Sequence, residues 1–222
     1  MIDAAVFDLD GTLVDSQRIA AEAFREAHLI CVGEGAPVAA FHALSGRPLE
    51  TILEELGLPP SMASHFRRLS RERIDRLALF PGMLDILALL EHSRVSLGVI
   101  TGKDRGRTLE VLEHLGVEDR FQAVVTASDP PAAKPSPEGV VSACARMGVA
   151  VERSVVIGDS VTDVAAGNAA GAHTIACLWG VGREPDLVSA RPTWVARNPR
   201  LLRARLQEIA PAGARTTSGR LA

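Results

Sequence analysis

Two aspartates lie two positions apart near the start of the chain, among apolar residues. Asp8 interrupts the apolar run Ala4–Leu9, which predicts a short buried strand, and Asp10 follows it directly. In a strand, side chains two positions apart point to the same face. One carboxylate of such a pair can attack phosphorus while the other handles the proton of the leaving group. Because an anionic carboxylate repels an anionic phosphate, this chemistry needs a hard divalent cation, and magnesium suits carboxylates, carbonyl oxygens and water.

Further polar motifs follow the ends of later predicted strands. In chain order they are Thr101-Gly102, Lys134 in a proline-rich loop, and Gly158-Asp159-Ser160 with Asp163 beyond it. The carboxyl ends of parallel strands share one edge of a sheet, so these groups are expected to meet Asp8 there. A hydroxyl, backbone amides and a lysine would then complement the charge of phosphoryl oxygens. Aspartate and glycine are also common in ordinary turns, but a carboxylate within a buried strand is costly without a function.

The ordered motifs DLDGT, TG, lysine and GDSVTD resemble those of the haloacid dehalogenase-like superfamily. Within it, the chain is similar to the phosphoglycolate phosphatase group, which has an all-helical cap after the first motif. The resemblance extends from about Ile2 to Leu206. A single DxD motif is weak evidence, whereas several motifs in order, each at a strand end, are specific.

The resemblance implies a role for each matching residue. Asp8 would be the nucleophile and a magnesium ligand, and Asp10 the general acid/base, with its backbone carbonyl on magnesium. Thr101 and the amide of Gly102 would bind the phosphoryl group. Lys134 would neutralise the phosphoryl group and orient Asp8. Asp159 would be a magnesium ligand. Asp163 would support either the metal shell or Lys134.

The predicted elements place these motifs on an α/β fold, a Rossmann-like parallel sheet with helices on both faces. Helices are predicted over 17–29, 37–44, 49–56 and 61–79, and no strand falls among them. Strands over 95–100, 121–126, 154–157 and 174–178 then alternate with helices over 83–91, 108–115, 136–147 and 161–170. The catalytic core is therefore predicted to be discontinuous, over 1–14 and 80–210. Residues 15–79 are predicted to form a helical cap domain inserted after strand 1, and 211–222 a flexible tail.

Composition narrows the range of partners. The 222 residues carry a net charge of −3, 4% aromatics and no tyrosine, which argues against a nucleic-acid partner. The three cysteines are far apart and read as buried small residues rather than a disulfide or zinc framework. The start lacks the features of a signal peptide, and no apolar stretch reaches the ~20 residues of a membrane span. We therefore expect a cytoplasmic monomer or homodimer, without a membrane partner, that acts on a small phosphorylated metabolite.

Two basic residues are candidates for substrate specificity. Arg47 lies in the segment SGRP, which resembles a cap loop that reaches into the active site, and it could clamp a carboxylate or hydroxyls. A solvated arginine in a connecting turn is an equally good interpretation. Lys103 follows Thr101-Gly102 directly and could place a second positive charge near the leaving group. The arginines between 67 and 76 are expected to form a solvated helix face, and Trp179 to be a packed tryptophan.

Several alternatives are weighed against a phosphatase. Carbon–halogen dehalogenases of the superfamily lack the second aspartate, and phosphonate-cleaving members use a cap lysine, whereas this chain has Asp10 and no lysine between 14 and 79. β-Phosphoglucomutase-like phosphotransferases carry a cap histidine where this chain has Ala20, although His28 and His42 are nearby. A non-catalytic phosphate-binding protein would usually have lost the nucleophile or a metal ligand. Phosphoglycolate, sugar phosphates and phosphorylated biosynthetic intermediates all stay open as substrates.

Overall fold

The computed structural model describes residues 1–129 and 134–211, and within them a single parallel sheet forms the centre of the fold. Its six strands lie in the order β3-β2-β1-β4-β5-β6. They are β1 Ala4–Phe7, β2 Ser96–Ile100, β3 Ala123–Val125, β4 Ser154–Gly158, β5 His173–Cys177 and β6 Trp194–Ala196. β1 pairs in parallel with both β2 and β4, so that Phe7 lies between Val99 and Ile157. The carboxyl ends of these three strands therefore finish side by side.

Helices cover both faces of the sheet, as predicted for the fold class. In the described part of the chain they are α1 Gln17–Cys31, α2 Val38–Ala43, α3 Leu49–Glu55, α4 Met62–Arg71, α5 Met83–His92, α6 Arg105–His114, α7 Glu138–Met147, α8 Val161–Ala170, α9 Glu184–Ser189 and α10 Pro199–Ile209. The alternation of side chains along β1 sends Ala5 and Phe7 into one apolar cluster and Val6 into another. Residues of α5, α6 and α10 complete the first cluster, and residues of α7 and α8 the second.

The four helices α1–α4 enclose a third apolar cluster of their own. Phe24 stacks on Phe41, with ring centroids 4.2 Å apart, and Phe66 packs at an angle against Phe41. The segment 15–79, which carries these four helices, is called the helical insertion below. The chain leaves the sheet after β1 and returns beside it, where Val14 and Leu79 form an isolated antiparallel bridge.

The prediction of one helix over 61–79 is wrong. α4 ends at Arg71, a short 3₁₀ turn covers Ile74–Arg76, and Leu77 to Leu79 are not helical. The return to the sheet explains the early end, because the amide of Phe80 donates to the carbonyl of Leu13 and a helix would withhold that amide.

The sequence interpretation also omitted α9, β6 and α10, which extend the sheet and cover its edge. The predicted helix over 108–115 begins earlier, at Arg105, where the side chain of Asp104 accepts a hydrogen bond from the amide of Arg107. The predicted tail lies outside the described residues, except for Pro211. None of the described helices combines the length and the apolar character required to cross a bilayer.

Candidate active site

Three buried carboxylates meet at the carboxyl ends of β1 and β4. One oxygen each of Asp8, Asp159 and Asp163 lies within 4.8 Å of the others. Lys134 donates hydrogen bonds to both Asp8 and Asp163, and its side chain is 2% exposed. Asp8 follows β1, Asp159 follows β4, and Lys134 reaches them from the loop after β3. The cluster therefore places three negative charges and one positive charge out of reach of bulk water, which favours binding of a cation.

This burial displaces the pKa values of the cluster. Burial raises the pKa of Asp8 well above its ordinary value, and repulsion from Asp163 and Asp159 adds to this rise, while Lys134 opposes it. Burial, followed by repulsion from Asp163, raises the pKa of Asp159 to about 7. Burial alone would lower the pKa of Lys134, but Asp163 and Asp8 raise it above its ordinary value. Lys134 is thus a permanent cation that holds Asp8 in place.

Asp159 is held through both of its carboxylate oxygens. The Thr12 hydroxyl donates to Oδ1 over 2.9 Å and the Val181 amide to Oδ2 over 2.7 Å. Two glycines leave room for this carboxylate, because a Cβ at Gly11 would lie 2.4 Å from Oδ2 and one at Gly180 would lie 2.0 Å from it. Gly180 lies in a loop after β5. Neither the DxD spacing nor the strand periodicity of the sequence predicts that it makes room for Asp159.

Asp163 connects the start of α8 to Lys134. Its Oδ2 accepts hydrogen bonds from the Ser160 amide over 2.9 Å and the Ser160 hydroxyl over 2.6 Å, and its own amide donates back to that hydroxyl over 3.2 Å. This is a capping box, a common N-terminal motif of helices. Because Oδ1 accepts from Lys134, both oxygens are occupied by protein donors. The structure therefore places Asp163 as a support for Lys134.

Asp10 lies at the edge of the cluster and faces a cavity, with 38% of its side chain exposed. Its Oδ1 accepts a hydrogen bond of 2.7 Å from the Ser16 hydroxyl, and the Lys103 ammonium lies 3.0 Å from its Oδ2. Burial raises the pKa of Asp10, but Lys103, Ser16 and Arg107 together more than offset this and lower it below the ordinary value. These neighbours therefore keep Asp10 a carboxylate at neutral pH.

A cavity of about 110 Å³ lies between this cluster and the helical insertion. The core contributes Asp8, Asp10, Thr101, Gly102 and Lys103 to its walls, and the insertion contributes Phe41, His42, Arg47, Ile52 and Phe66. Polar and charged groups thus stand on the core side, and mainly apolar side chains face them. The predicted residues Asp8, Asp10, Thr101, Gly102, Lys103 and Arg47 are all brought to this cavity.

The loop that carries Arg47 touches the core. A Cβ at Gly102 would lie 2.6 Å from the Arg47 carbonyl oxygen, and one at Gly46 would lie 3.1 Å from the Ser160 hydroxyl. The loop and the Thr101-Gly102 segment can approach so closely only because both positions are glycine. The Arg47 guanidinium forms an ion pair with Glu55 inside the insertion, so the backbone of this loop makes the contact with Gly102.

Arg107 is a cavity residue that the sequence interpretation did not identify. It lies in the first turn of α6, four residues after Lys103, and lines the same cavity. The sequence signal for this residue was Asp104, which caps the start of α6. The helix therefore begins at Arg105, three residues before the predicted start, and Arg107 lies in its first turn.

The arginines of α4 are exposed or half-exposed, as the sequence predicted, and two of them also contact the core. Arg67 and Arg71 form ion pairs with Asp104 and Glu110 of the core, at 3.4 and 2.9 Å, so they join the helical insertion to α6. Trp179 is packed as expected, with its indole N–H donating to the carbonyl of Thr12. Cys144 and Cys177 are buried, whereas Cys31 is only partly covered.

Comparison with known proteins places this fold and site in one family. The family described as haloacid dehalogenase-like hydrolase matches residues 5–177. A phosphoglycolate phosphatase of Caulobacter vibrioides is 33% identical over 193 residues, covering 81% of this chain and 80% of that protein. The pyrophosphatase PpaX of Bacillus pumilus is 28% identical over 200 residues, covering 88% of this chain and 92% of that protein.

A hydrolase structure from Pseudomonas syringae superposes with a TM-score of 0.85 and covers 95% of this chain and 100% of that one, at 22% identity. This likeness supports the fold alone. The family match covers most of the chain, and the relative at 33% identity extends over nearly the same part. The chain therefore belongs to the haloacid dehalogenase-like hydrolases, and within them to the group that resembles the phosphoglycolate phosphatases.

Proposed function

We propose that this hydrolase is a magnesium-dependent phosphatase that cleaves a small phosphomonoester through an aspartyl-phosphate on Asp8. The observation that carries the proposal is the buried Asp8 carboxylate, held by Lys134 beside Asp159 at the wall of the cavity. Asp10 stands in the same cavity and can exchange protons with a leaving group or a water.

The donor set of the site fits magnesium. Oxygen is the only ligand type that the carboxylates offer, and the one lysine leaves a net charge of −2 among Asp8, Asp159, Asp163 and Lys134. Asp8 and Asp159 would hold the ion, and the resemblance to the family adds the backbone carbonyl of Asp10. Bound magnesium would offset the negative charge of the phosphoryl group and bring it close to Asp8.

Each residue of the site then has its own role in the reaction. The Asp8 carboxylate attacks phosphorus and forms the new P–O bond as the bond to the leaving oxygen breaks. Thr101 and the Gly102 amide hold the phosphoryl oxygens, and Lys134 keeps Asp8 oriented. Asp10 gives a proton to the departing oxygen, then takes one from the water that attacks phosphorus and frees Asp8. To act as an acid, Asp10 must gain a proton when the anionic substrate binds beside it, since a neighbouring negative charge raises its pKa.

The helical insertion would act as a cap. Its contacts with Gly102, Asp104 and Glu110 hold it against the core beside the cavity, so a small phosphorylated metabolite fits better than a phosphoprotein. Relatives are named for phosphoglycolate and for pyrophosphate, and a sugar phosphate or a biosynthetic intermediate is a further candidate. A cytoplasmic location and a monomeric or dimeric state stay predictions.

The experiment that tests the function is phosphate release from a panel of small phosphomonoesters, with p-nitrophenyl phosphate included. We expect turnover with magnesium and its loss in excess EDTA after dialysis. A matched control adds magnesium back in excess over the EDTA and should restore the rate. Undiminished turnover in EDTA would contradict the metal assignment, and no release from any ester would contradict the phosphatase.

A phosphotransferase related to the β-phosphoglucomutases is a second candidate because His42 lines the cavity. Burial, with a contribution from Arg25, lowers the pKa of His42, so the imidazole is neutral at pH 7 and could accept a proton. His28 does not line this cavity, and its Nδ1 is hydrogen-bonded to the Gly33 carbonyl instead. Phosphorus NMR of a reaction on a sugar phosphate separates the two functions: a phosphatase yields inorganic phosphate, and a mutase yields an isomeric sugar phosphate.

Gly180→Ala is expected to weaken magnesium binding and to lower kcat/KM by about 100-fold, the loss that a displacement of about 1 Å can cause. The new methyl group would overlap Asp159, whose Oδ2 lies 2.0 Å from the position of that Cβ. Calorimetric titration with magnesium and steady-state kinetics measure both effects. Gly106→Ala is the matched control, because its Cβ would have only an ordinary contact of 3.7 Å, with Asp104. Equal losses in the two variants would contradict the explanation.

The stabilisation of the protein by magnesium is expected to increase from pH 5 to pH 7 and to level off above pH 7. Burial raises the pKa of Asp159 to about 7 in the metal-free chain, so below that pH magnesium must displace a proton. Because its pKa in the folded state is higher than in the unfolded state, the protonated Asp159 carboxyl stabilises the metal-free fold, and this contribution is lost as the pH rises to about 7. The Tm in EDTA should therefore fall across this window while the difference from the Tm in magnesium grows. Asp159→Asn should remove this dependence, and a constant difference in the wild type would contradict it.

A further inference from the structure

The cavity extends beyond Asp10, away from the nucleophile. A second cavity of about 40 Å³ adjoins the first, and Asp10, Phe66, Lys103 and Arg107 line both. It lies between α1 and α4 of the insertion and α6 of the core. In the proposed reaction, Asp10 meets the oxygen that bridges phosphorus and the leaving group. The space behind Asp10 is therefore where the rest of the leaving group would lie.

The Arg107 guanidinium faces this space without a protein partner. Within residues 1–129 and 134–211, it forms no hydrogen bond or ion pair, and it lies over the Phe66 ring at 5.6 Å from the centroid. Neighbouring arginines differ, since Arg67 is paired with Asp104 and Arg71 with Glu110. Burial lowers the pKa of Arg107, an effect that the negative charges of Asp10 and Asp104 oppose. An arginine stays charged in proteins, so its partial burial is costly unless an anion joins it.

Two buried polar atoms, each in a residue that lines one of the two cavities, also lack hydrogen-bond partners. In the described part of the chain, Gln17 Nε2 and Ser70 Oγ are the only buried side-chain nitrogen or oxygen atoms without a hydrogen bond. Ser70 is 8% exposed and lines the second cavity, and Gln17 lines the first. Buried polar groups are nearly always hydrogen-bonded, so the exception at Ser70, in the wall of the second cavity, points to a ligand there that supplies the missing acceptor.

We propose that Arg107 and Ser70 form an anion subsite for the leaving group. The substrate is then a small phosphomonoester whose alcohol part carries a second anionic group, either a carboxylate or a phosphoryl group. This inference rests on the proposed function for the position of the leaving group. A planar guanidinium suits both anions, since it can donate two parallel hydrogen bonds. A neutral sugar phosphate would leave Arg107 unpaired, and is disfavoured for that reason.

Binding of non-hydrolysable phosphonates tests the subsite without turnover. In magnesium buffer, calorimetry would compare 3-phosphonopropionate, propane-1,3-bisphosphonate and propylphosphonate, which carry a carboxylate, a second phosphoryl group and no second anion. We expect the wild type to bind one of the two doubly anionic ligands on the order of 10- to 100-fold more tightly than propylphosphonate. Whichever tail is preferred identifies the anion. Arg107→Gln should abolish this preference and leave the Kd of propylphosphonate unchanged.

Three further variants guard against trivial explanations. Arg107→Lys keeps the charge but not the planar donor pair, and should retain part of the preference. Ser70→Ala should weaken binding of the preferred ligand several-fold. Arg120→Gln removes a positive charge from a surface pair with Glu91 and should leave every Kd unchanged.

The outcomes separate the subsite from the catalytic function. Equal affinities of the wild type for all three ligands, a failure to bind any of them, or a preference that survives in a folded Arg107→Gln would overturn the subsite. Release of p-nitrophenol from p-nitrophenyl phosphate by the wild type, measured in parallel, reports on the phosphatase alone. A lost preference in Arg107→Gln supports the subsite even if that release fails.

Discussion

Asp8→Asn is expected to abolish turnover, to less than about a thousandth of the wild-type kcat, and to prevent formation of a phosphoenzyme. The amide oxygen of asparagine is a poor nucleophile, and without the Asp8 carboxylate no covalent bond to phosphorus can form. A factor of a thousand corresponds to about 4 kcal/mol of transition-state stabilisation, which the nucleophile of a covalent mechanism can supply. Rapid-quench capture of the phosphoenzyme and steady-state phosphate release measure the two effects.

The same variant should remain folded. Burial and the neighbouring carboxylates raise the pKa of Asp8, so its ionised form is unfavourable in the metal-free chain, and Lys134 keeps its pair with Asp163. The Tm of Asp8→Asn in EDTA at neutral pH should therefore equal or exceed that of the wild type. Asp15→Asn, at an exposed position close in sequence, is the matched control and should retain activity. A folded Asp8→Asn with more than a thousandth of the kcat would show that Asp8 is not the nucleophile.

Asp10→Asn is expected to lose about 10²- to 10⁴-fold in the rate of phosphorylation by an alkyl phosphate. An asparagine side chain can neither protonate the departing alkoxide nor deprotonate the attacking water, although its backbone carbonyl is unchanged. An aryl substrate such as p-nitrophenyl phosphate has a leaving group that hardly needs a proton, so its phosphorylation step should be affected much less. Dephosphorylation then becomes limiting, and phosphoenzyme should accumulate.

Single-turnover measurements on the two substrates distinguish proton transfer from a structural role. Ser16→Ala is a useful companion variant, since it removes one hydrogen bond from Asp10 and keeps the carboxylate. We expect it to have a small effect that is similar for alkyl and aryl substrates. Equal losses for both substrates in Asp10→Asn would show that Asp10 only supports the site, and the acid would then have to be sought in the insertion, where His42 lines the cavity.

The contacts between the helical insertion and the core hold the insertion over the charged cavity. The Gly46–Arg47 loop lies against Gly102 and Ser160, and α4 is tied to α6 by ion pairs of Arg67 and Arg71. Surface ion pairs of this kind contribute little to stability, typically below about 1 kcal/mol each. Such weak contacts are compatible with the role of a cap that is proposed for the insertion.

The chemistry of the site was already contained in local sequence patterns. An aspartate within an apolar strand, glycine and threonine after a second strand, and Asp159 after a fourth are visible because strand period and turn residues are local properties. Parallel pairing then brings the ends of these strands together without further information. For the same reason five of the six strands, most of the helices and the polar residues of the proposed catalytic cluster could be predicted.

Contacts between surfaces far apart in the sequence were decided by the tertiary structure. Lys134 reaches Asp8 across 126 positions, and only the folded chain shows that it also pairs with Asp163. Arg107 looks like any other helical arginine until the insertion covers it and leaves it without a carboxylate. Such facts depend on which face of α4 meets which face of α6, and long-range packing decides this. Short sequence patterns, which predict what a residue can do, therefore do not predict which partner it has.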